Sequence, residues 1–119
     1  PKKEVEQMRD AGRDVILEIE VEGAMKVRAL CPDAVFLFIA PPSVEELRRR
    51  LNKRGTEAAE VIEERVSQAA RELSYADRYD YIIVNGELEK AIQDFRTVVR
   101  AEKLRTKNGN KIDEVLNHA

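Results

Sequence analysis

Three short apolar runs constrain the fold of this chain more than any other feature. They span residues 14–19, 34–40 and 81–84, and each is rich in Val, Ile, Leu or Phe without strict alternation. Such runs suit strands covered on both faces, as in a parallel sheet. Between and around them lie helical patterns, over residues 3–11, 23–30, 43–53, 57–75 and 88–104, with a last turn or two over 111–117. The helix at 43–53 has a clear start. Pro41-Pro42 stops the preceding strand, Ser43 can cap, and Glu46 sits three residues on, the spacing of a capping box. Gly55 ends it. Val44, Leu47 and Leu51 share one face of that helix, and Ile62, Val66, Ala69 and Leu73 form a stripe on the next. The order strand, helix, strand, helix pair, strand, helix predicts an α/β fold with right-handed crossovers onto a parallel sheet.

Composition excludes several classes. Hydrophobic residues make up 43% of 119, enough for one packed domain. Lys+Arg 21 nearly balances Asp+Glu 23, so the net charge of -2 advertises neither a nucleic-acid nor a membrane surface. The longest apolar stretch, 34–40, is too short to span a bilayer, and no signal-like segment opens the chain. The lone Cys31 excludes an internal disulfide, and a reducing, cytoplasmic setting is expected. The start at Pro1, without methionine, fits a segment of a longer polypeptide, and equally removal of the initiator methionine.

Any anion site must therefore come from local clustering, and one cluster is present. Arg48, Arg49, Arg50, Lys53 and Arg54 place five positive charges in seven residues, and Arg65 follows on the next helix. Arg50 and Arg54 are four apart, hence on one helix face. Gly55 frees the backbone at the bend, and Thr56 can cap the second helix. A helical hairpin would then bring Arg50, Arg54 and Arg65 toward one place. Guanidinium forks match phosphate oxygens and keep their charge, which suits a polyphosphate. The same residues also fit a solvated face paired with Glu45, Glu46, Glu57, Glu63 and Glu64. A second candidate is the acidic end of the first apolar run. Alternation sends Glu18 and Glu20 to one side. They can hold magnesium through water, accept hydrogen bonds from a base, or face solvent.

Taken in order, these pieces resemble the guanylate kinase family. The resemblance rests on the segment 14–24 (DVILEIEVEGA), Pro32-Asp33 leading into 34–39, Pro41-Pro42-Ser43, the run 50–57 (RLNKRGTE), Glu64-Arg65, and 79–85 (YDYIIVN). It covers about residues 1–103. It implies a three-layer P-loop kinase-like α/β fold, here incomplete: a parallel sheet flanked by helices, with a helical lid. The lid would span about 43–75, the core 13–42 and 76–104, and a short tail 105–119, all within one C-terminal portion of a guanylate kinase domain. The implied activity is transfer of a phosphoryl group from ATP, with Mg2+, to GMP in purine nucleotide metabolism. Arg54 and Arg65 would be catalytic. Arg50, Arg54, Arg65, Asn85 and Gly86 would bind ATP, and Glu18, Glu20 and Arg65 would face GMP. No protein metal site is implied, and neither nucleic acid nor a membrane is an expected partner. The alternative within the family is a non-catalytic guanylate-kinase-like module that binds phosphopeptides.

Two departures qualify the resemblance. Glu22 stands where the family often has Gln, adding a charge near an anionic substrate. The Gly-rich phosphate loop ending in Gly-Lys-Ser/Thr does not occur in these 119 residues, so the chain alone is expected to be inactive. A missing central strand would leave an exposed sheet edge, open to another chain or to a second copy.

Overall fold

The computed structural model describes residues 16–108 and 111–118. The helix expected over 3–11 lies outside the described residues. The chain divides into two compact units, Pro1–Ala34 and Val35–Ala119. In the first, helix α1 spans Val21–Leu30 and closes with the Cys31 amide donating to the Val27 carbonyl at 2.7 Å. Cys31 is a half-buried free thiol.

The described part of the first expected strand, residues 16–19, is not a strand. It carries no regular structure, and Ile16, Leu17 and Ile19 are exposed. An apolar run becomes a strand only when a neighbour accepts and donates along its backbone. Among the described residues the sheet has two strands, and neither pairs with this segment.

Those two strands form the centre of the second unit. β1 spans Leu37–Ala40 and β2 spans Tyr81–Val84. They pair in parallel, with Leu37 beside Tyr81 and Ala40 beside Val84. β1 is shorter than the expected 34–40 because its partner begins only at Tyr81. The start of the pair is anchored twice. The Asp80 carboxylate accepts from the Phe36 amide at 2.8 Å, and the Phe36 carbonyl accepts from the Tyr81 amide at 3.1 Å. Tyr79 packs edge-on against Phe38 at 5.1 Å and Phe36 at 6.3 Å between ring centres.

The connection between the strands is a helical hairpin. Helix α2 spans Val44–Arg54 and helix α3 spans Ala59–Leu73. Ser43 Oγ accepts from the Glu46 amide at 3.0 Å, half of the expected capping box. Gly55 closes α2 at φ 63°, a left-handed conformation in which a Cβ would be strained. Thr56 does not cap α3. The cap residue is Ala58, whose side chain cannot accept. Ile62 and Val66 are buried as the stripe requires, but Leu73 is exposed near the helix end. After a single turn at Ala76–Arg78 and β2, helix α4 spans Leu88–Leu104 and a short helix α5 spans Lys111–His118.

Aligned residues of parallel strands share a face, so burial along the pair is informative. On one face Ile83 is 3% exposed and its partner Ile39 is 55% exposed. On the other, Phe38 is 8% exposed and its partner Ile82 is 53% exposed. Each face is covered over one strand and bare over the other. On the Ile83 face, α4 lies against β2, and the Tyr81 hydroxyl donates to Glu102 Oε2 at 2.6 Å. Ile83→Ala should destabilise the protein by about 2–5 kcal/mol, because it empties a packed site. Ile39→Ala should cost less than about 1 kcal/mol. Equilibrium denaturation of both variants checks the contrast, and equal losses would show that the Ile39 side of that face is covered.

Candidate functional site

The basic run lies on α2, and its arginines do not share one environment. Arg48 forms a two-pronged pair with Glu63 of α3, Nε to Oε2 at 2.8 Å and Nη2 to Oε1 at 3.1 Å, and reaches Glu45 at 2.6 Å. This fork ties the two helices of the hairpin together, and it holds the Glu63 carboxyl below its ordinary pKa. Arg49 pairs with Glu46 through Nε at 2.9 Å and Nη2 at 2.6 Å.

Arg50 leaves its own helix. Its Nε donates to Glu46 Oε1 at 3.1 Å, its Nη1 to the Asn85 carbonyl at 3.0 Å and its Nη2 to the Gly86 carbonyl at 3.1 Å. Asn85 follows β2 directly, and its amide donates to the Ala40 carbonyl at the end of β1 at 2.7 Å. The fold thus brings Arg50, Asn85 and Gly86 together at the carboxyl end of the strand pair, where open α/β sheets take their ligands.

Arg54 and Arg65 behave differently. Arg54, at the last turn of α2, makes no hydrogen bond or ion pair among the described residues. Arg65, on α3, pairs with Glu57 at 2.7 Å. The other carboxylate oxygen of Glu57, Oε2, is buried without a hydrogen-bond partner among the described residues. Arg50, Arg54 and Arg65, expected to come toward one place, differ in their partners: one holds backbone, one has none among the described residues, and one is held by an acid. Acidic partners account for Arg48, Arg49 and Arg65, as a solvated face would have it, but not for Arg54. Glu18 and Glu20 are exposed and belong to the first unit, where Glu20 is the cap residue of α1.

Sequence reasoning did not single out Glu46 and Glu57 as site residues. The i, i+4 spacing of Glu46 and Arg50 carried a signal. Glu57 and Arg65 carried none, because Glu57 lies in the linker before α3, where no helical spacing relates it to Arg65. Among the described residues no three His, Cys, Asp or Glu side chains gather as a metal site would require. No described helix is long and apolar enough to cross a membrane.

Parallel strands joined by a helical hairpin with arginines at its bend are what an α/β kinase of the P-loop type presents, and comparison bears the fold out. The crystal structure of guanylate kinase from Anaplasma phagocytophilum superposes with a TM-score of 0.75 at 34% identity, covering 99% of this chain and 56% of that one. A family model described as guanylate kinase matches residues 1–102. The chain belongs to the guanylate kinase family. It is 50% identical over 107 residues to a guanylate kinase of Desulfitobacterium hafniense, covering 90% of this chain and 54% of the relative. It is 48% identical over 105 residues to one of Latilactobacillus sakei, covering 88% and 52%. The chain thus spans about half the length of the relatives it matches.

Arg49 and then Arg50 hold the Glu46 carboxyl down, from 4.5 to about 2. A depressed carboxyl contributes stability that is full above its unfolded pKa and lost as pH falls through its folded one. The pairing should therefore persist from neutral pH to about 4.5 and fail between there and about 2. Because the groups are solvent-exposed, salt should weaken it. An NMR titration of the Glu46 side-chain carboxyl checks this: a midpoint near 4.5 would mean that the arginines do not hold it.

Proposed function

We propose that this chain forms the lid and the strand-end half of a guanylate kinase that moves the terminal phosphate of ATP onto GMP. The observation that carries the reading is Arg54, a cation at the bend of the hairpin with no protein partner among the described residues, in a chain of this family. In phosphoryl transfer, charge spreads over the oxygens of the moving group, and positioned guanidinium forks lower the barrier. Arg54 is free to take that role. Arg65 joins it by exchanging the Glu57 carboxylate for phosphate oxygens.

Asn85 and Gly86, at the carboxyl end of β2, border the base of ATP. Glu18 and Glu20 are assigned to GMP, and Arg65 to phosphate oxygens. Magnesium arrives on the ATP phosphates. The enzyme acts in the cytoplasm, in keeping with the lone free cysteine of these 119 residues. The bare halves of the two sheet faces are surfaces for the rest of the kinase fold, because the relatives are about twice as long as the matched segment. That assignment is preferred to self-association of this chain through its strand edge. The relatives named above are called guanylate kinases, which favours the enzyme over a phosphopeptide-binding module.

A coupled assay of the whole enzyme should show ATP-dependent phosphorylation of GMP, and preference for another monophosphate would overturn the assignment. The 119 residues alone should show no turnover, because they contain no phosphate loop. Arg54→Ala and Arg65→Ala should each lower kcat by ~100-fold or more, as loss of a transition-state clamp does. Arg65→Lys should also be poor, since an ammonium cannot replace the fork. A change within twofold for the alanine variants would return both arginines to the solvated surface.

A further inference from the structure

Arg50 is the point at which α2 grips the end of the sheet. A guanidinium group is planar, so fixing the direction of Nε fixes both terminal nitrogens. Glu46 does that from one turn earlier on the same helix, accepting from Nε at 3.1 Å. The two terminal nitrogens then meet the carbonyls of two successive residues, Asn85 and Gly86, at 3.0 and 3.1 Å. The Asn85 backbone is thereby held on both sides of its Cα, its amide by Ala40 and its carbonyl by Arg50. Glu46 is itself placed by the helix start, where its amide donates to Ser43 Oγ. A continuous line of hydrogen bonds thus runs from the first turn of α2 to the loop that leaves β2.

We propose that Glu46 is a positioning residue of the nucleotide site, acting through Arg50 to fix the Asn85–Gly86 backbone against the root of the lid. The proposal rests on the reading that this loop borders the base of ATP. It gives Arg50 a role distinct from phosphate binding: the guanidinium is a strut whose shape matters more than its charge. Glu46 influences the donor nucleotide without touching it. The neighbouring Arg49 shares the Glu46 carboxylate but reaches no residue of the loop, so it serves as the control.

The test uses the whole enzyme with the variants Glu46→Gln, Arg50→Lys, Arg50→Ala and Arg49→Ala, and the double variant Glu46→Gln with Arg50→Ala. Glu46→Gln and Arg50→Lys should each raise KM for ATP by about 5- to 10-fold while KM for GMP and kcat stay within about twofold, the size expected for one charge-assisted contact. Arg49→Ala should change none of these. Glu46→Gln should add nothing once Arg50 is Ala, an outcome that a merely structural role for Glu46 would not produce. Independently of turnover, the amide nitrogen shifts of Gly86 and Glu87 report hydrogen bonding at the preceding carbonyls. They should move in Glu46→Gln in the same direction as in Arg50→Lys.

An Arg50→Lys enzyme with the wild-type KM for ATP would show that charge alone suffices and overturn the strut. Unmoved Gly86 and Glu87 shifts in Glu46→Gln, or additive effects in the double variant, would remove Glu46 from the role. If Glu46→Gln fails to fold, Glu46→Asp, which draws the carboxylate back by one methylene, should give the same KM pattern. Failure to phosphorylate GMP would sink the functional assignment alone, because the shifts read the strut without turnover.

Discussion

Parallel pairing of Leu37–Ala40 with Tyr81–Val84 is the constraint on which the second unit depends. Two parallel strands cannot be joined by a tight turn, so the chain between them must travel back along the sheet. It does so as α2 and α3, and the hairpin that carries the arginines is the crossover itself. The pairing also sets where the site lies. Both strands end at the same level, the Asn85 amide reaches the Ala40 carbonyl, and the loop after β2 comes within range of Arg50. At the opposite end, Asp80 and Tyr79 lock the strand starts against Phe36 and Phe38. The register therefore resists slipping from both ends.

The arginines of α2 differ in their partners. On the hairpin surface they meet acids, where such pairs add little individually but the Arg48–Glu63 fork ties the two helices together. At the sheet end, Arg50 meets backbone carbonyls. At the bend, Arg54 is left open. One helix thus supplies a brace, a strut and an unoccupied cation within seven residues, and the helical period alone distributes them. The acidic residues that pair with this helix decide which of its guanidinium groups is left without a partner among the described residues.

Much of this was legible in the residues. The apolar run at 81–84 and the periodic stripe at 88–104 became a strand and a helix with the expected bounds, because both are long or apolar enough to outweigh local alternatives. Ser43 and Gly55 bounded α2 as their chemistry dictates. The run at 14–19 failed over its described part, since strand formation needs a partner that no local pattern can report. The capping box was half right: Glu46 donates its amide to Ser43, but its carboxylate turns to Arg49 and Arg50, which offer a stronger, charge-assisted bond than the backbone amide.

By itself the sequence determined the element order, the α/β class, the position of the arginine hairpin and, through its ordered motifs, the family. Those follow from periodicity, caps and residue spacing, which act over one or two helical turns. Tertiary structure alone decided what each arginine does. Arg50 and Asn85 are 35 residues apart and meet only because the parallel crossover returns the chain to the same end of the sheet. Glu57 reaches Arg65 from the linker that precedes α3, outside the regular spacing of the helix. Partner choice at a guanidinium is a matter of a few ångströms between elements, and no local pattern of residues encodes that distance.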